Sequence, residues 1–146
     1  MPARRRRPRR KLPLVVDAGA LAEVLLPTDR GRMLAPTLRD APCGMHAPAL
    51  LDAEVTSAIR RIEHAGEIST SQANAARFDL AGVALVRYPI RPLLARAWEL
   101  RSNFTIYDGL YVALGEALGA ALVTLDGRLA RATRTHTAVA LHPAAE

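Results

Sequence analysis

From residue 12 onward the chain alternates two kinds of apolar pattern. Short runs of consecutive apolar residues, such as LPLVVD (12–17) and AALVTLD (120–126), do not alternate in polarity, as expected of strands buried on both faces of a parallel sheet. Between them lie longer stretches with apolar positions at helical spacing. The pattern predicts a first strand over LPLVVD that ends abruptly at Asp17, a helix over AGALAEVLLP that stops at Pro27, a polar turn TDRGR, and a short helix in MLAPTLRD that Pro36 limits to a start or a break. CGMHAP (43–48) reads as a brief second strand, and Pro48 opens a long helix from Ala49 to Ala65 ended by Gly66. STSQANAARFDLA pairs with it as a helical hairpin, capped by Ser69 or Thr70. VALVRYP is a weak third strand, PLLARAWELR a helix, 106–118 a helix apolar nearly all round, AALVTLD a fourth strand, GRLARAT a short helix and TAVAL a last strand. This alternation predicts an α/β fold with a mostly parallel sheet of four to five strands covered on both faces.

A chain of 146 residues with half its residues hydrophobic fits one domain with its own core. The net charge of +6 suggests a nucleic-acid binder until its location is considered. MPARRRRPRRK, residues 1–11, holds seven of the 20 basic groups and no acid, leaving 13 bases against 14 acids in the body. The arm is expected to be a disordered, solvated tail beside a folded domain at 12–146; its other reading is a phosphate grip acting by counterion release. LPLVVDAGALAEVLLP, interrupted by Asp17 and Glu23, suits neither a secretory signal nor a bilayer span. A single cysteine, Cys43, allows no internal disulfide, so a reducing cytoplasm is the expected location, with no membrane association.

Four acids then need a reason to be where they are. Asp17 closes the first strand, Asp126 closes the fourth, Asp108 begins the apolar helix, and Glu54 lies early on the long helix. Singly, Asp17 and Asp126 read as helix caps, Asp126 also as part of an Asp-Gly turn, and Asp108 as a complement to the helix dipole. Glu54 is harder to dismiss. At about 100° per residue it lies near Leu50, Leu51 and Ala58 on the apolar edge and faces inward, whereas Asp52 and Glu63 fall opposite as solvated charges. In an α/β fold of this order all four converge beyond the carboxyl ends of the strands. Like charges about 4 Å apart repel by about 4 kcal/mol per pair at an effective dielectric of 20. Caps do not require that, but a divalent cation does. Oxygen-only ligation favours Mg²⁺ or Mn²⁺ over zinc, for which the four histidines have no suitable spacing. Aspartyl-phosphate chemistry would want a lysine at the site, and the one lysine is Lys11; phosphate-binding glycine motifs are absent.

The ordered set VVDAGAL with Asp17, HAPALLDAEVTSAIRR with Glu54, and RSNFTIYDGLYVALGEALGAALVTLDGRLA with Asp108, Thr124 and Asp126 resembles the PIN-domain ribonucleases, and among them the VapC-type toxins. The likeness spans residues 13–142. It implies a three-layer α/β/α sandwich, Mg²⁺- or Mn²⁺-dependent endoribonuclease action on single-stranded or looped RNA, a cognate antitoxin that blocks the site, and a homodimer. It also implies that Asp17 and Asp108 are the principal metal ligands. Glu54 and Asp126 would complete the cluster directly or through water, and Thr124 would orient a carboxylate or a water. Gly109 stands where the family commonly has alanine, and the arginine arm is outside the pattern. The alternative is a PIN-like module that binds nucleic acid or protein without catalysis; the complete acid set favours catalysis. RNA contacts are expected from Arg30, Arg32, Arg101 or the arm, and Tyr107, Tyr111 and Trp98 are expected to pack in the core rather than stack on bases.

Overall fold

In the computed structural model residues 10–143 are described, so all of the basic arm except Arg10 and Lys11 lies outside the description. Five strands form one sheet in the order β3-β2-β1-β4-β5: β1 Leu14–Val16, β2 Met45–Pro48, β3 Val86–Tyr88, β4 Ala121–Val123 and β5 Ala140–Leu141. Every pairing is parallel. The helices are α1 Ala18–Leu25, α2 Asp29–Arg39, α3 Leu51–His64, α4 Thr70–Gly82, α5 Leu94–Glu99 after a 3₁₀ turn at Arg91–Leu93, α6 Ile106–Leu118 and α7 Gly127–His136. No described helix is long and apolar enough to cross a membrane.

The central strands are buried because both faces are covered. Val15, Val16, Ala47, Leu122 and Val123 are shut off from solvent, and this explains why β1 and β4 read as unbroken apolar runs. α1 packs on α2 and α3, and α3 on α4; α5 packs on α6, which lies against β1, β2 and β4. With this strand order, the rule that parallel crossovers are right-handed assigns α1–α4 to one face of the sheet and α5–α7 to the other, in keeping with the packing of α1 on α2 and α3 and of α5 on α6, and gives three layers. From β1 the chain runs outward through β2 to β3, then crosses back to lay β4 on the other side of β1. The strand order therefore reverses between β1 and β4, where a crevice opens beyond the strand ends.

Three local expectations need correction. TDRGR is not a turn. Thr28 is the N-cap of α2 and accepts the Gly31 amide at 3.0 Å, while its hydroxyl donates to the Glu23 carboxylate at 2.5 Å. Gly31 looks like a breaker in the sequence but serves a close approach: a Cβ there would stand 1.9 Å from the Glu23 carbonyl oxygen. α2 then runs through Pro36 instead of breaking, because Leu34 and Leu38 on either side of it are buried and packing outweighs one lost amide bond. Asp52 is not merely solvated either: it takes a two-pronged pair from Arg87, at 2.6 and 2.9 Å, that ties α3 to β3.

Gly31→Ala is expected to destabilise the protein by about 1–3 kcal/mol, the range for overpacking, because the obstructing atom belongs to backbone that cannot step aside. Denaturant unfolding of the two proteins measures it.

Candidate active site

The backbone places three of the four acids at helix starts around the β1–β4 crevice. Asp17 follows β1 directly; its amide donates to the Val123 carbonyl at 3.1 Å, extending the β1–β4 ladder by one step. It is also the N-cap of α1, with Oδ1 accepting the Ala20 amide at 2.8 Å. Asp126 is the N-cap of α7, with Oδ1 accepting the amides of Arg128 at 2.8 Å and Leu129 at 3.2 Å. Asp108 lies in the first turn of α6, where its amide donates to the N-cap Thr105 hydroxyl at 3.1 Å. Next to it Gly109 admits α5: a Cβ there would stand 3.3 Å from the Ala97 Cα. Helix starts favour negative charge, which is one reason these positions tolerate carboxylates. Capping does not exhaust them, since each carboxylate has a second oxygen and further lone pairs.

Two hydroxyls stitch the acids together. Thr124, fully buried one residue past β4, accepts the Asp126 amide at 3.1 Å and hydrogen-bonds to the Asp17 side chain. Tyr111, buried one turn after Asp108 on α6, donates its phenolic proton to Glu54 Oε1 on α3 at 2.8 Å. Glu54 is half-buried, beside the buried Leu51, Val55 and Ala58, as its place on the helix face predicts.

The charges feel one another. Asp17 is only 7% exposed, and its carboxyl is pushed up to about 6. Burial is the main cause, the charges of Asp108 and Asp126 add to it, and the hydrogen bonds from Thr124 and Ala20 pull the other way. Glu54 is raised by burial, opposed by the Tyr111 hydrogen bond and aided by the Asp108 charge. Asp108 is raised by burial and by Asp126, while Arg128, whose Nη2 lies 3.5 Å from its Oδ2, lowers it. Tyr111 is raised, by burial first and then by Glu54, so it remains a proton donor.

Among the described residues no three His, Cys, Asp or Glu side chains already close around a point that could hold a metal ion. Mg²⁺ does not require such a cage, because it keeps several waters and binds through one or two carboxylates. The donor set here, four carboxylates coupled through space and a neutral hydroxyl, is an oxygen set of the kind that Mg²⁺ and Mn²⁺ accept.

The residues expected to touch RNA divide. Arg30 donates to the Leu125 carbonyl at 3.3 Å, beside Asp126. Arg32 is taken up by Asp29 at 2.5 Å, and Arg101 lies over the Trp98 ring, 4.4 Å from its centroid. Tyr111 is in the core, but Trp98 and Tyr107 are 61% and 62% exposed, contrary to expectation. α5 has six residues and buries little more than Ala97, so its aromatic turns outward. Sequence reasoning passed over the Tyr111–Glu54 bond and over Arg128. The one signal for the first was Tyr111's position three residues after Asp108, on the same helix face.

A family model described as PIN domain matches residues 14–134. Ribonuclease VapC3 of Mycobacterium tuberculosis is 43% identical over 119 residues, covering 82% of this chain and 86% of that protein. Ribonuclease VapC12 of the same organism is 41% identical over 118 residues, covering 81% and 90%. The fold is similar to the crystal structure of Mycobacterium tuberculosis VapC20, described as a sarcin–ricin-loop-cleaving toxin, with a TM-score of 0.64 at 16% identity over 82% of this chain and 94% of that one.

The raised Asp17 gives a pH dependence with a definite sign. Its carboxyl binds a proton more tightly in the folded protein, about 6, than at its ordinary 3.8, so the metal-free protein loses stability as pH rises through that window and levels off above it. Asp17→Asn keeps an acceptor for the Ala20 amide and cannot ionise. In EDTA it is expected to melt higher than the parent at pH 7.5, by an amount on the order of 2 kcal/mol, and to show little difference at pH 4. Thermal melts across that range check it.

Proposed function

The chain belongs to the PIN-domain family and, within it, to the VapC-type proteins, and on that premise we propose that it is the toxin of a toxin–antitoxin pair, a metal-dependent endoribonuclease. The single observation that carries the reading is the coupling of Asp17, Glu54, Asp108 and Asp126, acids far apart in the chain, at the β1–β4 crevice. Relatives named ribonucleases, about 40% identical over most of their length, support RNA as the substrate. VapC20, of similar fold, is described as a sarcin–ricin-loop-cleaving toxin, and a single-stranded or looped RNA is the substrate class proposed here.

Asp17 and Asp108 are the principal ligands in this reading, with Glu54 and Asp126 completing the set directly or through water. A bound Mg²⁺ or Mn²⁺ supplies Lewis-acid activation of a water and of the scissile phosphate. The chain's own groups do the positioning. Thr124 turns the Asp17 carboxylate, and the backbone amides at the start of α7 fix one oxygen of Asp126. Tyr111 holds Glu54, whose raised pKa makes it a better proton acceptor than a solvated glutamate. Arg30, near Asp126, steadies the RNA backbone. A cognate antitoxin restrains the cleft until it is removed, and the toxin acts as a homodimer in the cytoplasm.

Incubation with total RNA and Mg²⁺ is expected to yield discrete cuts bearing 5′-phosphate and 3′-hydroxyl ends, abolished by EDTA. Asp17→Asn and Asp108→Asn are expected to lose at least about a hundredfold in rate while melting cooperatively, in line with removing ligands of the ion that activates the water and the phosphate. Ends carrying a 2′,3′-cyclic phosphate, or full activity in either variant, would contradict the reading.

A further inference from the structure

We propose that Arg128 is a phosphate-binding residue of the cleft, held against Asp108 in the metal-free protein and handed over to the RNA backbone when a divalent ion takes that carboxylate. The inference rests on the reading of the crevice as a metal-dependent ribonuclease site and names the group that grips the substrate there.

Arg128 is fixed at its root and loose at its tip. Its amide donates to Asp126 Oδ1, which anchors the second residue of α7 beside the acids. Its guanidinium meets Asp108 Oδ2 at 3.5 Å, which is ion-pair range but longer than the roughly 2.7–2.9 Å of a charge-assisted hydrogen bond. The side chain is 70% exposed while that of Asp108 is 27% exposed, so the arginine approaches the cleft from the solvent side. Other arginines are held more closely: Arg87 by Asp52 at 2.6 Å, Arg96 by Glu116 at 2.7 Å and Arg32 by Asp29 at 2.5 Å.

The electrostatics give this position a double sense. One monovalent cation against four coupled acids leaves the crevice negative, so a divalent ion still gains by entering and competes with Arg128 for Asp108. A phosphodiester has the opposite preference: the acids repel it, and it needs positive charge on the outer side of the ion. A planar guanidinium with most of its donors toward solvent meets two phosphate oxygens at once. Metal and arginine are thus rivals in the free protein and allies once RNA lies between them.

The rivalry separates this role from a structural one, because removing the arginine moves two affinities in opposite directions. Mn²⁺ binding to the full chain is followed by the electron paramagnetic resonance of the free ion. Binding of a fluorescein-labelled, mixed-sequence single-stranded RNA is followed by anisotropy across a salt series, with Ca²⁺ replacing Mg²⁺ to hold back cleavage. Arg128→Ala is expected to bind Mn²⁺ about two- to fivefold more tightly, the scale of an exposed ion pair. It is expected to bind RNA about tenfold more weakly, with the slope of log K against log salt shallower by about 0.7, one phosphate contact on a single strand. Arg128→Lys restores the slope and part of the affinity. Unchanged RNA affinity and slope in Arg128→Ala, or metal and RNA binding that weaken together, overturn the inference while leaving the ribonuclease reading intact if the parent binds Mn²⁺. A parent that takes up no Mn²⁺ overturns both.

Discussion

Carboxylates repel, and the junction of β1 and β4 holds three of them within one another's field: Asp17 feels Asp108 and Asp126, and Asp108 feels Asp126. Glu54 joins through Asp108 from the other side. Such a cluster persists only because the backbone is over-determined around it. Asp17 continues a strand ladder and caps a helix at once, Asp126 caps another, and Thr124 ties the two strand ends through a hydroxyl with no exposure to solvent. Mutual repulsion of this kind is characteristic of functional sites, because a sheet held together for stability alone does not require it.

The topology explains why this junction and no other carries the acids. A parallel sheet directs all its strand ends, and the starts of the helices that follow, to one side. Reversal of strand order beside β1 then parts the helices and leaves room. α6 delivers Asp108 to that room with an apolar body buried against β1, β2 and β4, and Tyr111 on the same helix reaches Glu54 on α3. One buried helix thereby positions two of the four acids, the first by its own sequence and the second through a phenolic proton.

Much of this was legible in the chain. The strands β1 and β4 announced themselves by unbroken apolar runs ending in acid, and the inward face of Glu54 followed from helix geometry. What was not legible depended on contacts between segments distant in sequence. Gly31 and Pro36 carry strong local breaking tendencies, but α2 forms through them because Thr28 caps it and Leu34 and Leu38 are buried. Asp52 looked solvated because its partner, Arg87, lies on a strand 35 residues away. Trp98 and Tyr107 looked like core residues by type, yet a helix of six residues and a first-turn position left them outside. Arg128 drew no notice because an arginine after an Asp-Gly turn is ordinary until Asp108 stands opposite. The resemblance to the PIN-domain ribonucleases was carried by the ordered acids and the segments around them, and the family model and the relatives named ribonucleases bear it out.

If the clustered carboxylates share a divalent ion, its binding displaces the proton that the buried Asp17 carboxyl retains and releases it to the buffer. Titrating the metal-free protein with MgCl₂ in buffers of different ionisation enthalpy counts the protons released per ion bound. Because burial pushes the Asp17 carboxyl up to about 6, release of about half a proton or more per ion is expected at pH 6, falling toward zero by pH 8. Binding with no proton release at pH 6, or no binding at all, would contradict it.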